Sequence, residues 1–377
     1  MRTVDHLIVG AGAMGCAAAA SLARQGAEVL VLERVSPGHL GGSSHGESRA
    51  IRLSNFENPA YAPIIRRAVE LWRELETQPH EIFLPTGVLE CGPPRSELVE
   101  STLKAALAGG IAVEKLTARE VRARFPAVTI PPDWIGVFQC DGGLLRPDNA
   151  IRRFLETAKA RGAGFETTTV IRVEQRGEHV EVETADWTIE AGSVIVTAGA
   201  WIADLVPELR PHLELTRQVL GWFEPVQPEL VRPDALPVFL FDAPGAPVYG
   251  FPDFCGLGVK AASHDHGRVL GSGDDARQDA APDDLADVRR VLADMLGPAA
   301  GRLTQCRTCI YTNTTDQEFI VDRRPGQPRI VFASACSGHG FKFATAIGEA
   351  LARMALGQQP ACDLEAFRLD RPGLNRQ

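Results

Sequence analysis

The N-terminal segment shows apolar and small residues in the order strand, turn, helix, strand. Residues 4–9 (VDHLIV) form an apolar strand pattern, an Ala-rich helical stretch follows, and a second apolar run, AEVLVLE, ends at Glu33. Gly10, Gly12 and Gly15 stand at the first turn. This order within about 30 residues predicts a dinucleotide-binding βαβ unit, with the pyrophosphate at the helix start and Glu33 on the adenosine ribose. A structural βαβ turn without a nucleotide is the alternative.

Helix and strand patterns continue to alternate beyond this unit. Helix-like runs occupy residues 61–76 and 148–162, and SVIVTAGAW at 193–201 predicts an apolar strand that runs into a small-residue turn. Residues 213–260 contain several strand patterns separated by Pro and Gly, which predicts a sheet-rich second unit. From Ser337 a glycine turn leads into a long helix. The alternation predicts an α/β fold with an α+β second domain.

Length, charge and cysteine content narrow the class of ligand. At 377 residues two domains are expected, and the net charge of −9 is not accompanied by a basic patch, so neither nucleic acid nor anionic membrane is an expected partner. We find no apolar run of the roughly 18 residues that a membrane helix needs and no signal-peptide pattern, so a cytoplasmic location is expected. The eight scattered cysteines are expected to be reduced. Small molecules are the expected ligands.

Lysine is rare in this chain. Only five of the 39 basic residues are lysines, so arginine supplies the ordinary surface charge. Lys260 and Lys342 stand in Gly-rich or aromatic segments, CGLGVKAASH and SGHGFKFAT. An ammonium is compact and titratable, unlike a guanidinium, so both lysines are candidates for chemistry. The alternative is that Lys260 and Lys342 stand at solvated positions by chance and have no chemical role.

Six motifs follow one another along the chain: GAGAMG at 10–15, GSSHGESRAIR at 42–52, TAGAW at 197–201, YGFP at 249–252, CIYT at 309–312 and SGHGFKF at 337–343. Together they resemble the monomeric sarcosine oxidase and N-methyltryptophan oxidase family of amine-oxidising flavoproteins, nearly end to end. The resemblance implies a Rossmann-type FAD-binding domain and a sheet-rich substrate domain. We assign residues 1–80, 142–212 and 306–377 to the FAD-binding domain and residues 81–141 and 213–305 to the substrate domain.

The resemblance implies an FAD-dependent oxidase of secondary, N-methylated amino acids, which turns the amine into an imine and O2 into hydrogen peroxide. Cys309 occupies the place of the family's flavin-bearing cysteine, which implies a thioether to FAD, whereas Cys306 does not. From the residues alone, these two cysteines form a CxxC that also suits a redox dithiol or half a zinc site. An unmodified buried thiol is a further alternative. We expect no metal.

The substrate site follows from the same resemblance. Arg52 and Lys342 would hold the substrate carboxylate, since a buried carboxylate needs cationic partners. Tyr249 and His264 would line the pocket over the flavin as substrate-binding or catalytic groups. The alternatives are that Arg52 is a solvated surface charge and that His264 is a loop histidine with ordinary hydrogen-bond partners.

The resemblance also implies groups around the flavin. Lys260 would activate oxygen, and His45 and Arg49 would lie close to the ring. The glycine turn before the C-terminal helix would bring the positive end of a helix to the flavin. The residues expected to contact the cofactor are Gly10, Gly12, Gly15, Glu33, Ser43, Arg49, Cys309, Gly338, Gly340 and Lys342.

The segment after Arg52 departs from the family pattern. The family shows His-Ala-Tyr-Gly-Glu there, whereas this chain has residues 53–57 as LSNFE, and Glu57 and Tyr61 still match. Leu240 stands where sarcosine oxidase shows a methionine. Because this segment resembles the family's active-site loop, the identity of the substrate side chain stays open.

Three other functions stay open at this point. A nicotinamide-dependent dehydrogenase shares the glycine motif but has no use for Cys309. A flavin dehydrogenase would pass electrons to a partner protein, and a non-catalytic flavin protein would bind FAD without oxidising an amine. We expect a monomer or a weak dimer.

Overall fold

The computed structural model describes residues 2–55, 57–264, 267–277 and 280–375. The strands in these ranges are β1 (Arg2–Val9), β2 (Val29–Glu33), β3 (Arg49–Ile51), β4 (Phe83–Leu84), β5 (Val88–Gly92), β6 (Glu114–Thr117), β7 (Ile135–Gln139), β8 (Gly143–Leu145), β9 (Gly164–Thr167), β10 (Val170–Arg176), β11 (His179–Thr184), β12 (Thr188–Val196), β13 (Leu213–Phe223), β14 (Val238–Phe241), β15 (Val248–Phe251), β16 (Val259–Ser263), β17 (Val269–Leu270), β18 (Leu303–Thr314), β19 (Ile320–Arg324) and β20 (Gln327–Ser334). The α-helices are α1 (Ala13–Arg24), α2 (Tyr61–Leu75), α3 (Glu97–Gly109), α4 (Ala118–Arg124), α5 (Pro147–Lys159), α6 (Ile202–Leu205), α7 (Ala286–Met295) and α8 (Ala344–Ala355).

The first sheet contains the predicted βαβ unit, β1–α1–β2. Its order is β10-β11-β12-β1-β2-β9, and β20 adds to β12 and carries β19 at its other edge. β1 runs parallel to β2 and β12, and β12 runs parallel to β20. Parallel strands are covered on both faces, so their sequences are continuous apolar runs. The fully buried β2 is an example.

Helices α1, α5 and α8 pack together against this sheet. The Ala-rich sequence of α1 lets both neighbouring helices approach closely. The helical runs predicted at 61–76 and 148–162 are confirmed as α2 and α5. The helix predicted after Ser337 is confirmed as α8, which a 3₁₀ turn at Gly340–Phe343 precedes.

The second sheet has nine strands in the order β17-β13-β16-β15-β14-β5-β7-β6, with β18 paired to β13. Except for β14 and β5, which pair in parallel, its neighbouring strands are antiparallel. A small third sheet of β3, β8 and β4 lies apart from both. The predicted α/β fold with a sheet-rich second unit is confirmed.

Strand β18 bears on the predicted domain division. It pairs antiparallel with β13 from Leu213↔Thr314 to Phe223↔Leu303, so it belongs to the second sheet. The boundary placed at residue 306 therefore falls inside a strand of that sheet, and Cys309 lies on it. The division of the whole chain into two domains stays a prediction.

Candidate active site

One large cavity extends from the carboxyl ends of β1 and β2 to the second sheet. Thirteen of the fifteen sequence-predicted site residues line it: Gly10, Gly12, Glu33, Ser43, Arg49, Arg52, Tyr249, Lys260, His264, Cys309, Gly338, Gly340 and Lys342. His45 and Gly15 are not among the lining residues. The tertiary fold thus collects side chains and backbone from five distant segments of the sequence.

The end of the cavity at β1 has the form of a nucleotide cradle. Gly10 has a φ of +98°, and a Cβ there would lie 2.6 Å from the Thr197 carbonyl oxygen, so a side chain is not accommodated. The nearly buried Glu33 carboxylate accepts a hydrogen bond of 2.7 Å from the Ala11 N–H. Gly12 caps α1 and has no side chain to do so, and among the helix-start N–H groups that of Ala13 donates to Ser44 Oγ at 3.1 Å. The start of a helix carries partial positive charge and is a favourable place for an anion. Gly15 lies within α1 and contributes close packing there.

Five polar atoms of cavity-lining residues are buried without a hydrogen-bond partner in the described ranges. They are Ser48 Oγ, Trp201 Nε1, Thr312 Oγ1, Ser334 Oγ and His339 Nδ1. Buried polar groups are almost always paired in proteins, so orphaned atoms around a cavity indicate a polar ligand.

The loop 42–52 is pinned against β18 by hydrogen bonds. Ser43 Oγ donates to the Ile310 carbonyl at 2.7 Å, and the Arg49 guanidinium donates to the carbonyls of Ser43, His45, Gly46 and Ser48. Arg49 therefore holds the loop in shape and keeps its charge at the cavity wall.

His45 belongs to this loop and is buried. Neither ring nitrogen has a hydrogen-bond partner in the described part of the chain. Burial lowers its pKa to about 4, and the charges of Arg49 and Lys260 act in the same direction. The His45 imidazole is consequently uncharged near neutral pH.

Lys260 places an ammonium group inside the fold. Its side chain is 3% exposed, and Nζ donates to the Ser48 carbonyl at 2.9 Å. The rings of Phe251 and Trp222 lie 5.1 and 5.6 Å from Nζ, at distances typical of cation–π contacts. The alternative of a solvated position is wrong for Lys260.

Arg52 and Lys342 form a buried ionic cluster with two glutamates. Arg52 Nη2 lies 2.5 Å from Glu57 Oε1, and Nη1 lies 3.0 Å from Glu90 Oε1. Lys342 Nζ is 3.7 Å from the same Glu57 oxygen and donates to the His339 carbonyl at 3.0 Å. Burial lowers the pKa of Lys342 to about 8, against the opposing effect of Glu57. Arg52 is thus buried and paired, which excludes the alternative of a solvated surface charge.

The aromatic wall is built from strands of the second sheet. Tyr249 Oη lies 3.3 Å from Tyr311 Oη, and burial raises the pKa of both phenols. The His264 ring meets the Tyr249 ring edge-on, with centroids 6.0 Å apart. Leu240, which departs from the family pattern, lines the same wall.

Cys309 and Cys306 do not form a dithiol or a joint metal site. Cys309 lines the cavity and is buried, whereas the Cys306 thiol donates to the Ala280 carbonyl at 3.3 Å. The cause is strand geometry: residues three apart on β18 point to opposite faces. A second thiol, Cys336, also lines the cavity. Throughout the described ranges we find no group of three or more His, Cys, Asp or Glu residues arranged to hold a metal ion.

Gly338 allows the chain to pass close to Tyr311. Its φ is +73°, and a Cβ there would lie 2.8 Å from the Tyr311 ring. The glycine turn precedes the 3₁₀ turn and α8, and residues at the start of this helical segment line the cavity.

The sequence prediction missed several residues of the site. Glu90, Tyr311, His339 and Cys336 were not singled out. For Glu90 a signal existed, because it is the one charged residue in the run VLECG. Tyr311 and His339 lie inside motifs whose other members were chosen, whereas nothing in the sequence distinguished Cys336 from the other thiols.

The chain is similar over almost its whole length to known flavoproteins. Residues 5–354 match the family described as FAD dependent oxidoreductase. The monomeric sarcosine oxidase of Bacillus sp. (strain B-0618) is 37% identical over 98% of this chain and 96% of that protein. The N-methyl-L-tryptophan oxidase of Citrobacter koseri is 34% identical over 97% of this chain and 98% of that protein.

Solved structures share the fold. NikD, an amino acid oxidase of nikkomycin biosynthesis, superposes with a TM-score of 0.86 at 22% identity over 98% of each chain. The L-proline dehydrogenase of P. horikoshii superposes with a TM-score of 0.83 at 21% identity over 98% of this chain and 97% of that chain. In the ranges that the structure covers, no helix has the length and apolarity to cross a membrane.

Proposed function

Because the chain belongs to the FAD dependent oxidoreductase family, we propose that it oxidises small N-methylated amino acids, with molecular oxygen as the electron acceptor. The chemistry supplied by bound FAD is acceptance of two electrons from the amine and their transfer to oxygen, which gives an imine and hydrogen peroxide. The observation that carries the proposal is the convergence of two buried cations, Arg52 and Lys342, on the cavity that Cys309 and Tyr249 also line.

The residues around the cavity fit FAD. The glycine cradle at Gly10, the helix start at Gly12 and the Glu33 carboxylate suit the pyrophosphate and ribose. The unpaired polar atoms of the cavity wall, such as Thr312 Oγ1 and Ser334 Oγ, suit a polar ligand between the two sheets. In the proposal Cys309 carries the cofactor through a thioether, Arg49 and the start of the 340–355 helical segment supply positive charge, and Lys260 serves the oxygen step.

The amino acid would be held by charge and shape. Its carboxylate would bind Arg52 and Lys342, and its apolar part would lie against Tyr249, His264 and Leu240. The buried surroundings exclude water and strengthen these interactions. The imine would form inside the cavity and hydrolyse after release.

An anaerobic screen tests this proposal. The purified flavoprotein is mixed without oxygen with sarcosine, other N-methyl amino acids, proline and pipecolate, and bleaching of the flavin absorbance is recorded. We expect N-methyl amino acids to bleach the flavin and admitted air to restore the colour with release of hydrogen peroxide. Bleaching that air does not reverse would indicate a dehydrogenase with a partner protein, and no bleaching would contradict amine oxidation.

Replacing Lys342 by Met should weaken the binding of the amino acid substrate by about ten- to a hundredfold, because a charge-assisted hydrogen bond contributes roughly 1.5–3 kcal/mol. Lys342 is the cleaner choice than Arg52, since removing Arg52 leaves Glu57 and Glu90 buried without their cation. The substrate concentration that half-saturates the anaerobic rate of flavin reduction gives the affinity of the variant and of the wild-type protein.

A secondary amine without a carboxylate is the control ligand for this variant. Its binding should change little. Equal losses for both ligands would show that Lys342 shapes the cavity and does not bind the carboxylate.

A further inference from the structure

Glu90 is a buried carboxylate beside the cavity that the proposed function leaves without a role. It is 2% exposed and lies on β5, all five residues of which are buried. Leu89 and Cys91 on either side belong to a hydrophobic core. Glu90 pairs in register with Leu240 of β14, which lines the cavity. Because partners in register point to the same face of a sheet, Glu90 points to the cavity side.

Arg52 stands between Glu90 and the cavity. Arg52 is a lining residue of the cavity and its guanidinium donates to Glu90 at 3.0 Å, while Glu90 itself is not a lining residue. An isolated buried carboxylate is strongly unfavourable, and removing one partner of a buried pair is costly. Glu90 is therefore a fixed counter-ion on the far side of Arg52.

The charges of the cluster balance. Two cations, Arg52 and Lys342, face the cavity, and two carboxylates, Glu57 and Glu90, stand behind them. A substrate with one carboxylate would bind to the side of this neutral cluster that carries Arg52 and Lys342. A substrate with a second carboxylate would bring further negative charge for which the cluster holds no surplus cation.

We propose that Glu90 is a specificity-determining residue, which cancels one of the two positive charges of this cluster, those of Arg52 and Lys342, and restricts the site to amino acids with a single carboxylate. The inference rests on the proposed function, because it assumes that Arg52 and Lys342 receive the substrate carboxylate. It adds the substrate class: monocarboxylic amino acids are accepted, and N-substituted aspartate, glutamate or iminodiacetate are rejected.

Two ligands that cannot be oxidised as amines test the inference. Methoxyacetate is sarcosine with an ether oxygen in place of the nitrogen, and diglycolate carries a second carboxylate on the same frame. Each is titrated into the flavin-loaded protein, and the change in flavin absorbance gives its Kd. The wild-type protein should prefer methoxyacetate.

In the Glu90→Gln variant this preference should fall by about tenfold or more, because a unit charge a few ångströms behind Arg52 acts through a medium of low effective dielectric constant. Glutamine keeps a hydrogen-bond acceptor for Arg52 and loses only the charge. An unchanged preference, or equal weakening of both ligands, would overturn the inference. If the wild-type protein binds neither ligand, the proposed function fails instead.

Two control variants accompany this measurement. Glu90→Asp keeps the charge and should keep the wild-type preference. Glu349→Gln removes a carboxylate that pairs with Arg67 at 2.7 and 2.9 Å on α8, away from the cavity lining, so it matches the change in net charge. A fall in preference in Glu349→Gln as large as in Glu90→Gln would show a general charge effect and contradict the inference.

The pH dependence of the wild-type protein gives a second measurement should Glu90→Gln fail to fold. Burial raises the pKa of Glu90, and Arg52 opposes this. The pKa of Glu57 is raised by burial but held well below its usual range by Arg52, Lys342 and His339. Burial lowers the pKa of Lys342 to about 8 and that of His339 to about 3. The preference should therefore fall as the pH drops from neutral to mildly acidic, and a constant preference would contradict the inference.

Discussion

Replacing Lys260 by Met should slow the reoxidation of the reduced flavoprotein by oxygen by orders of magnitude. The first electron transferred to oxygen creates superoxide, and a cation already in place stabilises this negative charge without reorganisation. Lys260 is 3% exposed and is fixed by the Ser48 carbonyl, so its charge is oriented before oxygen arrives. Each loss of about 1.36 kcal/mol of transition-state stabilisation slows the step about tenfold.

Stopped-flow traces of the two half-reactions separate this role from a structural one. Anaerobic reduction of the Lys260→Met variant by substrate should be much less affected than its reoxidation. Lys115→Met, at an exposed position on β6, is the matched control and should leave both half-reactions unchanged. Normal reoxidation in a folded, flavin-loaded Lys260→Met variant would contradict the proposed role of Lys260 in the oxygen step.

The oxygen half-reaction should also depend on pH. Burial lowers the pKa of Lys260 to about 7, and the nearby Arg49 charge contributes in the same direction. For a cation with a lowered pKa, the charged form predominates below that value and is lost as the pH rises through it. We expect faster reoxidation on the acid side of this titration and no such transition in Lys260→Met. The same profile in both proteins would assign the titration to another group.

Replacing Cys309 by Ala should release the flavin completely on acid precipitation, whereas the wild-type precipitate should stay yellow. The effect is all or none, because a thioether survives unfolding and non-covalent contacts do not. Cys309 is buried, lines the cavity and lies on β18 at the register position opposite Gln218. Absorbance spectra of pellet and supernatant after precipitation measure the distribution.

The other two thiols near this site are the controls. Cys306→Ala should keep a yellow precipitate, because its thiol lies on the opposite face of β18 and donates to the Ala280 carbonyl. Cys336→Ala should do so as well, although Cys336 lines the cavity. Release of flavin from Cys336→Ala with retention in Cys309→Ala would move the attachment to Cys336. A colourless wild-type precipitate would disprove covalent attachment.

Local sequence patterns were sufficient to predict an element wherever a short segment determines its own structure. The β1–α1–β2 unit follows from an apolar run, three glycines and an Ala-rich helix, because their backbone requirements are local. The amphipathic run of α2 and the glycine turn before α8 were predictable for the same reason.

The resemblance to a family added what spacing cannot show. It brought together Arg52, Lys260, Cys309 and Lys342, which are separated by up to 290 residues and carry no common local pattern. The structure places all four on one cavity. Their individual roles stay predictions, to be decided by the experiments above.

The sequence by itself determined that the chain has a nucleotide-binding α/β unit, a sheet-rich second unit and a set of candidate groups for flavin chemistry. Only the tertiary structure decided how those groups are paired: that β18 belongs to the second sheet, that Cys306 faces away from Cys309, and that Arg52 is held between Glu57 and Glu90. The physical reason is that a charge or a thiol acquires its properties from the side chains packed around it, and long-range strand pairing, which local sequence does not encode, selects those neighbours.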